Sequence, residues 1–201
     1  MLRLLALVAA AVSWPLAAQD AAAPLPRVAI ETSVGTMTVE VDTVRAPITA
    51  ANFLRYVDEK RLDGVTFYRV VKVQPEFGFV QFGPRGDPKK TLPPIKHEPT
   101  TQTGLSHTDG VLSVARLAPG TARGEFTIMV GDNSYGLDAG RYPDDKLGYA
   151  AFARVVEGRD VLVDVLDTPV DPAKSDRGAF KGEMPAAPVK IVRARRVVPT
   201  R

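Results

Sequence analysis

Eight short runs rich in Val, Ile, Phe and Thr recur along this 201-residue chain, and none exceeds ten residues. They lie at 27–32, 37–41, 65–71, 79–82, 111–115, 126–130, 150–156 and 189–198. Short β-branched and aromatic runs bounded by Gly, Pro, Asn and Asp read as strands. Ser33-Val34-Gly35 separates the first two, and Gly35 can take the positive φ of a tight hairpin. Only two stretches have helical character. Pro47 suits a first helical turn, where its missing N–H costs nothing; Ala51, Phe53, Leu54 and Val57 then give an apolar face, and Gly64 lies just past the end. Residues 160–166 form the second. Many strands with two helices predict a mainly β fold, a closed, antiparallel, eight-stranded barrel capped by two helices. Two polar stretches, 84–109 and 167–188, contain several prolines and little regular pattern. Loops of that length inside a domain are usually functional.

The N-terminus reads as a secretory signal at residues 1–18. Arg3 supplies positive charge, residues 4–16 form an apolar segment of signal length that is short for a membrane span, and Leu16-Ala17-Ala18 offers small residues for cleavage before Gln19; an uncleaved membrane anchor is the alternative. An Ala- and Pro-rich lead-in at 19–26 precedes one domain at 27–201. These features predict a periplasmic or secreted protein with no stable membrane insertion after cleavage, and we expect a monomer. The absence of cysteine excludes disulfides and lipoprotein attachment, so the fold rests on its own core. A net charge of +3 with scattered basic residues gives no reason to expect nucleic acid. His97 and His107 share a polar loop with Glu98 and Asp109, in a spacing that matches no common zinc pattern. Asp132, Asn133, Asp138, Asp144 and Asp145 do not follow the calcium-loop order. Ser106 and His107 are sequence neighbours, which rarely face one another, and no G-x-S-x-G is present. No metal and no cofactor is expected.

Within the third run, Thr66-Phe67-Tyr68-Arg69-Val70-Val71, one arginine stands among apolar neighbours. A charge in such a place requires a partner or a task. The fourth run and its flanks, Gly78-Phe79-Val80-Gln81-Phe82-Gly83, carry one glutamine. Together these runs resemble the central motif of the cyclophilin family of peptidyl-prolyl isomerases, F-H-R-V-I…G-F-M-x-Q-G-G-D. The resemblance extends over residues 28–198. Ala46-Pro47-Ile48-Thr49-Ala50-Ala51-Asn52-Phe53 resembles the family's first helix, and Gly110-Val111-Leu112-Ser113-Val114-Ala115 its G-x-L-S-M-A run. Gly131-Asp132-Asn133-Ser134, Leu137-Asp138 and Gly148-Tyr149-Ala150-Ala151-Phe152 are similar to the far side of its site.

The resemblance implies a cyclophilin-like barrel that speeds X–Pro rotation in proline-containing unfolded or extended polypeptides. It makes Arg69 and Gln81 the catalytic pair. It assigns substrate contacts to Tyr68, Phe79, Ala115, Arg116, Glu125, Thr127, Leu137 and Tyr149, with Phe79 in the proline pocket, Ala115 and Arg116 pairing with the extended substrate, and Leu137 and Tyr149 on the rim. The usual S-Q-F-F-I run is here Gly124-Glu125-Phe126-Thr127-Ile128. Thr127 thus replaces a phenylalanine at the pocket floor, and Glu125 replaces a glutamine, putting a negative charge where it could hold Arg69 or compete with substrate for it. Tyr68 and Tyr149 stand where histidines are common, and the rim tryptophan has no counterpart, since Trp14 lies in the signal. Two insertions, 72–76 and 139–146, flank the site, and the first leaves the register of Phe77, Gly78 and Phe79 open. The substitutions keep a second reading in view, a peptide-binding chaperone or assembly module on the same fold with little or no catalysis. A structural envelope protein whose groove binds nothing is the third.

Overall fold

The computed structural model describes residues 24–140, 145–176 and 178–198. The expected signal at 1–18, most of the lead-in and residues 141–144 of the second insertion lie outside them. Twelve elements follow one another: β1 (Arg27–Thr32), β2 (Gly35–Val41), α1 (Pro47–Asp58), β3 (Thr66–Gln74), β4 (Phe77–Gly83), α2 (Thr100–Thr103), β5 (Val111–Val114), β6 (Phe126–Val130), α3 (Ser134–Leu137), β7 (Ala150–Glu157), α4 (Arg159–Leu166) and β8 (Ile191–Arg196). All eight strand runs form strands. The first insertion lengthens the β3–β4 hairpin, with Pro75 and Glu76 at its turn and Glu76 at φ +51°.

The strands make one antiparallel sheet in the order β3-β4-β6-β5-β7-β2-β1-β8. Its inner face carries the core. Phe53, Tyr56, Phe67, Phe82, Phe126 and Phe152 are fully buried and pack ring to ring, with Phe53 edge-on to Phe126 at 5.1 Å between centroids. Burying each such side chain contributes about 1.5–3 kcal/mol. The longer helices lie against this sheet, α1 on β7 and β8, and α4 on β2, β3, β4 and β6.

The closed barrel is corrected to an open, curled sheet. β3 and β8 are its ends, and among the described residues they are joined by one isolated bridge, from Thr66 of β3 to Lys190 just before β8, flanked by backbone bonds such as Phe67 N–H to Val189 C=O at 2.9 Å. Pro185 and Pro188 remove donors from the segment leading to β8, so no full ladder forms along the seam. The apolar face of α1 is also turned from the one read in the sequence. Ala51 is exposed, while Ala50 and Tyr56 are buried.

The irregular stretch at 84–109 is held by a polar stripe on α1. Tyr56 Oη accepts from Leu92 N–H at 2.8 Å, while Asn52 Nδ2 on the same helix donates to Arg123 C=O, on the chain before β6, at 2.6 Å. Glu98, only 1% exposed, accepts from the Ile48 and Thr49 N–H groups and from Thr49 Oγ1 at 3.1, 2.7 and 2.6 Å. Its carboxylate thereby caps a helix that has no side-chain cap of its own.

Candidate functional site

In a regular strand, neighbouring side chains point to opposite faces. β3 breaks that rule twice, at Val73 near the hairpin turn and, earlier, at the site. Its register steps from Phe67 opposite Phe82 to Arg69 opposite Gln81, leaving Tyr68 as the extra residue of a bulge. Phe67 and Val70 stay in the core, while Tyr68 and Arg69 both reach one groove on the outer side of the sheet. The register carries the site across the strands. Gln81 faces Thr127, Thr127 faces Ser113, and the next row places Phe79 opposite Met129. Gly78 lets the hairpin close beside this row, since a Cβ there would lie 1.9 Å from the Val71 carbonyl oxygen.

The groove has a volume of about 600 Å³. It brings together all ten residues singled out from the sequence: Tyr68, Arg69, Phe79, Gln81, Ala115, Arg116, Glu125, Thr127, Leu137 and Tyr149. Met129, Phe180 and Thr121 line it as well.

Arg69 is held from two sides. Nη1 donates to Gln81 Oε1 at 3.2 Å, and Nε donates to Glu183 Oε2 at 2.6 Å. The rings of Phe79 and Phe180 lie 5.2 and 4.4 Å from the guanidinium carbon. Glu125 is not the carboxylate that holds Arg69, and that expectation is corrected. It accepts instead from Tyr68 Oη at 2.7 Å and from the Arg85 N–H at 2.8 Å. The reason is the bulge, which turns the Tyr68 hydroxyl toward Glu125 on the chain just before β6. Burial pushes the Glu125 carboxyl above the usual carboxylate range, against the pull of those hydrogen bonds. Burial, and then the Glu125 charge, pushes the Tyr68 phenol far above its ordinary value.

At the rim, the Arg116 side chain is buried, and its guanidinium forks onto both Asp145 oxygens at 2.7 and 2.8 Å and onto the Gly148 carbonyl. The hydrogen bonds from Arg116 hold the Asp145 carboxyl at about 2. The guanidinium is therefore committed to fastening the second insertion beside Tyr149, whose ring lies 5.5 Å away. Ala115 N–H already donates to the Glu125 carbonyl at 2.7 Å. Thr127 Oγ1 reaches the Ser113 carbonyl at 3.4 Å, a long contact.

A family model for the cyclophilin-type peptidyl-prolyl cis-trans isomerases matches residues 27–196. A peptidyl-prolyl cis-trans isomerase of Acinetobacter baylyi is 35% identical over 169 residues, covering 82% of each chain. The cyp18 isomerase of Streptomyces antibioticus is 34% identical over 175 residues, covering 84% of this chain and 96% of its own. The chain belongs to the cyclophilin-type peptidyl-prolyl cis-trans isomerases. A crystal structure of a cyclophilin-type isomerase from Cryptosporidium parvum shares the fold, with a TM-score of 0.66 at 20% identity over 88% of this chain and 99% of that one.

Of the residues around the groove of this cyclophilin that the sequence did not single out, Met129, Phe180 and Glu183 bear most on the site. Met129 was legible, because outward-facing Thr127 implies an outward-facing Met129 two residues on. Phe180 and Glu183 were not, because they belong to the irregular stretch 167–188, where no periodicity says which strand it crosses. One further cluster lies beneath the site. His107 Nδ1 meets Asp138 Oδ1 at 2.6 Å, and its Nε2 meets Ser113 Oγ at 2.9 Å. This has the outline of a nucleophile–base–acid chain, yet His107 and Ser113 are 0% and 1% exposed and neither lines the groove. Ser106, dismissed as a partner for His107, donates to the same Asp138 at 2.5 Å. The cluster ties the end of α3 to β5.

The half-buried Glu125 gives the fold a pH dependence. Its folded-state affinity for a proton exceeds the unfolded one, so its contribution to stability is present below the unfolded carboxylate pKa. That contribution is lost as pH rises through the raised folded value. Glu125→Gln removes this loss. The difference in melting temperature between variant and wild type should shift in favour of the variant from about pH 4.5 to about pH 8. A difference that is flat with pH, or that shifts the other way, contradicts the assignment.

Proposed function

We propose that Arg69 is the catalytic donor of this isomerase, that Gln81 orients it, and that the groove holds an extended X–Pro segment of an exported protein during folding. The observation that carries the reading is a guanidinium fixed at the wall of an apolar groove, with its Nη2 engaged by no acceptor among the described residues. Rotation about an X–Pro bond is slow because amide resonance sets a barrier of about 18–20 kcal/mol. In the twisted transition state that resonance is lost, and the prolyl nitrogen gains a lone pair absent from the planar ground state. A hydrogen bond from Arg69 to that lone pair is therefore stronger in the transition state, which is the condition for acceleration. Such a charged bond contributes about 1.5–3 kcal/mol, or one to two powers of ten in rate. The remainder comes from the dry groove, where Phe79, Met129, Leu137 and Tyr149 seat the proline ring and the substrate carbonyls are held in place. No nucleophile or proton transfer is required.

The export reading is supported by Arg3, the apolar segment at 4–16 and the small residues before Gln19. Sequencing the protein from a periplasmic fraction should find Gln19 first.

Thr127 favours the weaker-catalyst reading, because a short hydroxyl side chain stands at the floor beside Gln81. The test is magnetisation exchange between the cis and trans signals of a proline peptide, with and without the protein. Wild type should accelerate exchange at substoichiometric concentration. Thr127→Phe, by adding apolar floor, should tighten peptide binding about threefold to tenfold. Binding without accelerated exchange favours the chaperone, and unchanged or weaker binding by Thr127→Phe contradicts the role given to the floor.

A further inference from the structure

We infer that Glu183 is a positioning residue for the Arg69 guanidinium, and that Phe180 keeps that guanidinium dry; this rests on the catalytic role proposed for Arg69. Both residues come from the segment between α4 and β8, which runs along the free edge of β3. The Glu183 carbonyl accepts from the Val70 N–H at 2.7 Å, so the segment is pinned to the residue that follows Arg69. A turn closed by Glu183 N–H to Phe180 C=O at 3.0 Å, with Gly182 at φ +75°, sets the two side chains beside each other. Phe180 itself sits at φ +57°. A bulky residue in that region is strained, and such strain persists where the surroundings dictate it and clusters at functional sites. Here the surroundings are the Arg69 guanidinium at 4.4 Å and the Tyr68 ring at 6.4 Å.

The consequence for Arg69 is orientational. A guanidinium is a planar fork with five N–H donors. The Nε–H goes to Glu183 and one Nη1–H to Gln81, so two bonds on different edges of the plane fix its rotation. Among the described residues no acceptor engages Nη2, which leaves that edge for a substrate. The Phe180 ring covers the fork and strengthens its remaining hydrogen bonds by excluding water. Removing the Glu183 charge leaves the substrate groove in place but frees the fork to rotate, which acts on kcat rather than on binding.

Peptide isomerisation kinetics on the full chain test this with Glu183→Gln, Glu183→Asp, Arg69→Ala and the Glu183→Gln/Arg69→Ala double variant. Glu183→Gln should lower kcat about fivefold to tenfold, with KM within twofold and an unchanged unfolding midpoint. Glu183→Asp, which keeps the charge, should retain more of the rate. In the double variant the Glu183 substitution should cost nothing beyond Arg69→Ala. Wild-type kcat in Glu183→Gln, a loss confined to KM, no advantage of Asp over Gln, or an additive loss in the double variant would each overturn the inference. Should Arg69→Ala keep full activity, the reading beneath it falls; if that variant is slow and Glu183→Gln is not, only the positioning role fails.

Discussion

Arg69→Ala is expected to lower kcat/KM for X–Pro isomerisation by about one to two powers of ten, with most of the loss in kcat. The expectation follows from where the guanidinium contributes. It faces an apolar groove whose shape is set by other side chains, so a peptide should still enter once it is gone. On the proposed role, what disappears is a hydrogen bond that is stronger when the amide is twisted. Removing the arginine also leaves Glu183 without the guanidinium it now pairs with, but that carboxylate is a third exposed and remains hydrated. Stability should therefore change little. Peptide affinity by calorimetry, beside the kinetics, separates the two contributions. A loss seen entirely in affinity would assign Arg69 to binding.

The second large effect concerns stability. Glu98→Ala should destabilise the fold by about 3 kcal/mol, read from the urea midpoint at unchanged m value. α1 opens with Ala46 and Pro47, neither of which has a side chain that can accept from the first-turn N–H groups. Glu98 serves two of them and the Thr49 hydroxyl from a position roughly fifty residues away. Truncating it leaves the Thr49 donors buried and unpaired, and removes one of the ties between the stretch at 84–109 and the helix. Glu98→Gln, which keeps an accepting oxygen, should recover part of the loss. A cost below about 1 kcal/mol for Glu98→Ala would mean that water replaces the carboxylate.

The fold was largely legible because its strands are short, β-branched and separated by strong turn residues. The seam was not, because closure depends on how the proline-bearing segment before β8 meets β3, and alternation within each strand is silent on that. The ten groove residues could be named from motif order, and the β3–β4–β6 register explains why they converge. What lay beyond reading was the source of the carboxylate on Arg69. Glu125 stands in a matched motif and drew attention, but the bulge at Tyr68 gives it a different partner. Glu183 lies 114 positions from Arg69 in an unpatterned stretch and reaches it only through tertiary structure. In the sequence Glu98 only stands beside His97 in a polar loop whose spacing matches no common zinc pattern. Its task as a remote helix cap has no local signal, because the usual cap stands next to the helix it serves.

The most direct test of the account is proline-limited refolding of a model substrate with the full-length chain and its Arg69→Ala variant. The account predicts a slow refolding phase whose rate rises linearly with the concentration of the wild-type chain and scarcely responds to the variant. No acceleration by wild type, or equal acceleration by both proteins, would contradict it.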